Sequence, residues 1–190
     1  TTSTTSTTST ALFTDRYELT MIDAALADGT AHRPCVFEVF ARRLPAGRRY
    51  GVVAGTGRLL EALADFRFGQ EEIDYLRDNE IVGERTLEYL ADYRFTGSIS
   101  GYAEGELYFP GSPILVVEGS FAEAVVLETL ALSVFNYDSA VASAAGRMVS
   151  AAEGRPLSEM GSRRTGERSA VAAARAAYIA GFRATRNPAV

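Results

Sequence analysis

Apolar residues fall at helical spacing from Thr14 to Asp28, where Leu19, Met21, Ile22 and Leu26 share one face. Thr14 or Asp15 can cap this helix, and Asp28-Gly29 ends it. From Cys35 to Ala41 the pattern switches to alternation, with Val36, Glu38 and Phe40 opposite Cys35, Phe37 and Val39, which predicts a strand. Pro45-Ala46-Gly47 is a turn. Helical spacing returns from Gly57 to Phe66 through Leu59, Leu60 and Leu63, and again over Gln70–Arg77 and Glu84–Tyr93.

The texture then changes. Gly97–Gly105 and Ile114–Gly119 read as short strands separated by the turn Phe109-Pro110-Gly111-Ser112-Pro113. One long, small-residue-rich helix is expected from Phe121 to about Ser150, broken by Arg155-Pro156. Leu157–Met160 is a short strand, Glu167–Ala180 an Ala-rich helix stopped by Gly181, and Phe182–Thr185 the start of another strand. The chain therefore reads as α/β: an N-terminal α+β domain over residues 11–119, then the opening of a repeating βα pattern over 120–190. The Thr/Ser tract at residues 1–10 has nothing to bury and is expected to be disordered.

Composition narrows the chemistry. The 190 residues are 47% hydrophobic and 23% charged, a globular profile long enough for a real core. A net charge of −5 argues against a nucleic-acid-binding surface. All 19 basic residues are Arg, which excludes a Schiff-base lysine, a Walker-type phosphate loop and a Ser–Lys pair. One Cys (Cys35) and one His (His32) make neither an internal disulfide nor a zinc site of the usual kind. No uncharged apolar run of membrane-spanning length and no secretory signal is present, so a cytoplasmic protein without membrane or nucleic-acid partners is expected.

Few residues carry candidate chemistry. Arg163-Arg164 follow the Leu157–Met160 strand, and ligands bind at the carboxyl ends of strands in α/β folds. Two guanidiniums ahead of a helix N-terminus suit a phosphate or carboxylate, although a solvated charge pair fits the same residues. Asp15 and Tyr17 lie in the first turn of the first helix, as a cap with either a core-edge Tyr or an aromatic face for a planar ligand. Gly51–Gly57 (GVVAGTG) looks like a phosphate loop but lacks its Lys, and reads as a turn leading into a helix. Glu104 and Glu106 share a face on an extended segment and are expected in solvent, as is His32 in a loop. A single His leaves no Ser–His–Asp triad.

Five stretches, in order, resemble nicotinate phosphoribosyltransferases: Thr14–Met21 (TDRYELTM), Phe37–Pro45 (FEVFARRLP), Arg49–Gly55 (RYGVVAG), Gly101–Pro113 (GYAEGELYFPGSP) and Glu159–Arg164 (EMGSRR). The resemblance runs from about Leu12 to Val190. It implies a sandwich-like N-terminal domain followed by the beginning of an incomplete, TIM-like α/β barrel. It also implies transfer of a phosphoribosyl group from phosphoribosyl pyrophosphate to nicotinate in NAD salvage, driven by ATP through a phosphorylated His and assisted by Mg²⁺. Two chains would form a homodimer with shared active sites.

Carried onto this sequence, the resemblance makes Asp15 and Tyr17 substrate-binding, with Tyr17 stacking on nicotinate in the partner's site. It places Arg163 and Arg164 near the phosphate and the nicotinate carboxylate. Asn187 is also a substrate-binding candidate, within Thr185-Arg186-Asn187, where the family reads Thr-Ser-Asn. Arg186 would crowd that position. Tyr137 and Gly166 stand near places where relatives carry His, and His or Gln. No catalytic or metal-binding residue is assigned: the family's phosphorylated His is expected beyond residue 190, and His32 lies in the wrong region to replace it. The 190 residues alone are expected to be inactive. The rival reading is a noncatalytic relic or interaction subunit of the same fold, which dimerises or binds nicotinate or phosphate without turnover.

Overall fold

The computed structural model describes residues 9–185. Helix α1 covers Arg16–Asp28, strand β1 Pro34–Phe40 and β2 Gly51–Val52. Helices α2 (Thr56–Ala64), α3 (Gln70–Asp78) and α4 (Glu84–Ala91) follow. Next come β3 (Ser98–Gly101), β4 (Leu107–Tyr108), β5 (Pro113–Ser120), α5 (Phe121–Val125) and α6 (Glu128–Ala151). The described chain closes with β6 (Ser158–Glu159), α7 (Glu167–Ile179) and β7 (Ala184–Thr185). Among the described residues three sheets form: β1-β5-β3 with β5 central, antiparallel β2-β4, and parallel β6-β7.

The chain divides into two compact units. Unit 1 is Thr1–Phe37, Leu59–Ser100 and Val116–Ala131; unit 2 is Glu38–Arg58, Gly101–Leu115 and Leu132–Val190. This division differs from a linear boundary at residue 119 because β5 and α6 each begin in one unit and end in the other.

Unit 1 is organised by α1. Leu19, Ile22, Ala25 and Leu26 are buried, as the periodicity requires, whereas Met21 points outward. Gly29 closes the helix in the left-handed region (φ +81°), where its N–H reaches the Ala25 carbonyl. Helix α1 packs on α4 and α5, and α3 packs on α4. Three buried rings, Phe66, Phe68 and Tyr93, meet edge to face with centroids 5.6–6.1 Å apart. The Tyr93 hydroxyl donates to the Glu123 carbonyl at 2.8 Å, so its polar end is satisfied.

Two expectations are corrected here. Ser9 and Thr10, expected to be disordered, are held by hydrogen bonds: the Ser9 hydroxyl donates to the Arg67 carbonyl and Thr10 to the Ala62 carbonyl. Residues 1–8 of the Thr/Ser tract lie outside the described residues. The expected single helix from Phe121 is two helices, parted at Val126-Leu127. The cause is Glu18, a carboxylate with no solvent exposure on the buried face of α1. It accepts from the Thr129 N–H at 2.9 Å and the Thr129 hydroxyl at 2.7 Å, so an anion from another helix caps the start of α6. Its second oxygen takes the Asp15 N–H and the Thr14 hydroxyl. One carboxylate thereby serves two helix N-termini.

Unit 2 packs α6 against α7 through small residues. Ala142 and Ala176 close on Val52 and Ala54, and Ala145 and Ala177 close on Phe182. The stretch Phe121–Ala151, α5 and α6 together, has the length and hydropathy of a membrane span, yet more than half of its apolar window is buried within this fold.

Glu18→Ala leaves two backbone N–H groups and two hydroxyls without their anion, and charged hydrogen bonds are each worth about 1.5–3 kcal/mol. Urea denaturation is expected to show a loss of roughly 3–5 kcal/mol for Glu18→Ala and a smaller loss for Glu18→Gln, which keeps one acceptor. A change under 1 kcal/mol for Glu18→Ala would remove Glu18 from this role.

Candidate functional site

Strands β6 and β7 run parallel, with Ser158 opposite Ala184 and Glu159 opposite Thr185, and α7 connects them. This βαβ unit places residues 160–166 at the carboxyl end of β6. Both arginines of the pair, Arg163 and Arg164, lie in that loop and are exposed. The loop folds tightly: the Gly161 N–H donates to the Glu159 carboxylate, and the Arg164 N–H donates to the Gly161 carbonyl at 2.7 Å. Gly166 is the N-cap of α7. The Tyr137 hydroxyl, on α6, lies 3.3 Å from the Ser169 carbonyl oxygen and 3.5 Å from Thr165 Oγ1. Ser162 Oγ is buried with no hydrogen-bond partner among the described residues. Two exposed guanidiniums and the first turn of α7 together offer donors to an anion.

Asp15 and Tyr17 share the first turn of α1, in unit 1. Asp15 is the N-cap, with Glu18 reaching back to its N–H at 3.1 Å. Tyr17 is 45% exposed rather than tucked at a core edge. Desolvation first, then the hydrogen bond and charge of Glu128, push its phenol up to about 12, so it stays neutral at ordinary pH. Phe13 and Met21, four positions to either side, are exposed as well. Asn187 lies outside the described residues, as do Arg186 and Pro188.

Sequence reasoning missed a charged cluster in unit 2. Glu104 was expected in solvent. Its carboxylate instead takes both guanidinium nitrogens of Arg175, at 2.7 and 2.6 Å, and the Gly55 N–H at 2.8 Å. Burial works to raise its pKa, but Arg175 and the Gly55 and Gly57 N–H groups outweigh it, and the group sits below its ordinary 4.5. Glu106 is exposed as expected.

The GVVAGTG segment is correspondingly more than a turn. Its first two residues are β2, which pairs with β4, and the Tyr108 ring covers Gly51 so closely that a Cβ there would fall 2.2 Å from it. Gly55 has φ +109°, and a Cβ would meet Val134 at 2.9 Å and Asp138 Cβ at 3.3 Å. A Cβ on Gly57 would come within 2.6 Å of the Arg175 guanidinium. These glycines admit neighbouring side chains, not a phosphate. The only sequence signal for the cluster was this glycine spacing. His32 is exposed, as expected, on a groove of about 570 Å³ in unit 1 with Arg85, Tyr89 and Glu123; none of the predicted site residues lines it.

A parallel βαβ unit with paired, exposed arginines in the loop after its first strand is an α/β arrangement. Residues 12–136 match the model of the nicotinate phosphoribosyltransferase N-terminal domain, and the chain belongs to that family. It is 69% identical over 176 residues to a Mycobacterium tuberculosis nicotinate phosphoribosyltransferase, covering 93% of this chain and 39% of that protein. It is 38% identical to a Bacillus subtilis nicotinate phosphoribosyltransferase, covering 93% of this chain and 36% of the relative. The solved human nicotinic acid phosphoribosyltransferase superposes with a TM-score of 0.84 at 31% identity, covering 92% of this chain and 36% of that one. The chain thus spans less than two fifths of the length of these relatives.

A carboxylate held below its ordinary value contributes stability above that value and loses it as pH falls through the folded value. Unit 2 is therefore expected to weaken below about pH 4.5 in a Glu104-dependent way. Urea unfolding from pH 6 to 3 would show wild type converging on Glu104→Gln at the acid end; curves that stay parallel throughout would contradict it.

Proposed function

We propose that this chain forms the N-terminal portion of a nicotinate phosphoribosyltransferase, which transfers phosphoribose from phosphoribosyl pyrophosphate to nicotinate, giving nicotinate mononucleotide and pyrophosphate. The observation that carries this reading is the Arg163-Arg164 pair in the loop after β6, on a chain whose relatives bear that name. Loss of pyrophosphate leaves positive charge on the ribosyl centre and negative charge on the leaving group, and guanidiniums at a loop of this kind stabilise the anion. The nicotinate carboxylate is an equally suitable partner for a planar guanidinium fork.

Tyr17 fits the second role. Its neutral, exposed ring, between exposed Phe13 and Met21, gives unit 1 an apolar face suited to a second copy of the chain. A homodimer in which Tyr17 stacks on nicotinate at the partner's site follows from this reading, with Asp15 fixing the turn that presents it. Asn187 is the further substrate-binding candidate of this reading, and the barrel begun by β6-α7-β7 would be continued by further βα units.

Mg²⁺ and ATP are expected for the whole enzyme. Among the described residues no three His, Cys, Asp or Glu side chains stand close enough together to hold an ion. The one His of the chain, exposed on unit 1, does not match the family's phosphoacceptor segment.

Two outcomes test the proposal. Isothermal titration of the chain with inorganic phosphate and with nicotinate is expected to show binding that falls at least about tenfold in Arg163→Ala, since a lost bidentate ionic contact costs over 1.4 kcal/mol. Binding unchanged in both Arg163→Ala and Arg164→Ala would overturn the anion site. The 190-residue chain with nicotinate, phosphoribosyl pyrophosphate and Mg-ATP is expected to yield no nicotinate mononucleotide by chromatography. Product formation would show that the phosphoacceptor His is dispensable.

A further inference from the structure

Asp138 sits in the middle of α6 with no solvent exposure. One oxygen, Oδ1, accepts from Arg58 Nη1 at 2.5 Å. The other, Oδ2, is buried and has no hydrogen-bond partner among the described residues. A half-satisfied carboxylate is an expensive group to bury, and a helix of this composition could hold an Ala or Leu there instead. Neighbouring serines of α6 are hydrogen-bonded. Ser143 Oγ accepts from the Val52 N–H at 2.8 Å, and the Ser139 hydroxyl both accepts from the Ala54 N–H and donates to the Ala54 carbonyl. Asp138 extends this row by one contact, to the first turn of α2, where Arg58 lies.

We propose that Asp138 is a proton-operated latch: ionised, it clamps Arg58 and the start of α2 onto α6; protonated on Oδ2, it releases Arg58. The charged groups facing it are Arg58, Arg175 and Glu104. Glu104 is already committed to Arg175 and the Gly55 N–H, so it cannot take over Arg58 without breaking three hydrogen bonds. The four groups sum to zero charge with Asp138 ionised and to +1 with it protonated. Arg58 is one-third exposed, so once Asp138 is neutral its guanidinium can turn its uncompensated charge toward solvent. The backbone beside the latch has little freedom to compensate, because Gly55 packs against Asp138 Cβ and Val134.

The titration falls where such a latch can operate. Burial pushes Asp138 up to about 6, against the lowering effects of Arg58 and Arg175 and with a smaller raising effect from Glu104. A carboxyl raised in the folded state binds its proton more tightly there than in the unfolded chain. Its stabilising contribution is complete below the unfolded value of 3.8 and is lost as pH rises through about 6. This sign is opposite to that of Glu104.

The test is a carbon-13 NMR titration of Asp138 Cγ in the 190-residue chain, with the Arg58 Nε–H resonance followed in the same samples. The expected result is an Asp138 midpoint near 6 and an Arg58 signal that moves with the same midpoint. In Arg58→Gln the Asp138 midpoint should rise further, because a lowering charge is gone. Across pH 3.8 to 6 the folding constant of wild type relative to Asp138→Asn should fall on the order of 100-fold. An Asp138 midpoint in the ordinary carboxylate range, an Arg58 resonance indifferent to that midpoint, or an Arg58→Gln midpoint that falls would each overturn the latch. If Asp138→Asn does not fold, the wild-type and Arg58→Gln titrations still decide it.

Discussion

Helix α6 is held in place by buried polar contacts, and much of the structure described here follows from that constraint. Its apolar face is built largely of Ala and Val, which slide past neighbours with little preference for register. Polar groups supply what packing does not. Glu18 fixes where the helix starts by accepting from the Thr129 N–H and hydroxyl. Ser139 and Ser143 fix what lies beside it by bonding the backbone of Ala54 and Val52. Each such contact has a narrow geometry and a large cost if left unmade, so it selects one arrangement from many of similar hydrophobic burial.

The same economy explains the glycines of residues 51–57. Gly51 lies under the Tyr108 ring, Gly55 lies against α6, and Gly57 leaves room for the Arg175 guanidinium. A glycine-rich run is read first as a phosphate cradle because both uses demand the close approach of another group to the backbone. Here the approaching groups belong to the protein, and the α2 start is already served by the Glu104 carboxylate. The exposed guanidiniums of Arg163 and Arg164 lie instead on the loop after β6.

The two acidic groups of unit 2 show how environment assigns opposite behaviour to similar side chains. Glu104 gains two guanidinium contacts and a backbone N–H and is held ionised. Asp138 has one guanidinium contact and one orphaned oxygen, and burial wins. The difference lies in the count of donors, not in the depth alone.

Local sequence determined the helices and strands that one period can specify. The faces of α1, α3 and α4 and the alternation of β1 depend on neighbours within a few residues, and each formed close to its expected range. The Arg163-Arg164 loop was equally legible, because a strand, two glycines and an Ala-rich helix mark its position along the chain. What periodicity could not carry was any feature made by residues far apart. The break between α5 and α6 needs Glu18, about 110 positions away, and the burial of Glu104 needs Arg175, 71 positions away. The two-residue strands β2 and β4 exist only as partners of each other. Sequence by itself therefore set the local conformations and the chemical inventory. Only the tertiary structure decided which charges meet, because pairing depends on distance in space, and spacing along the chain does not encode it.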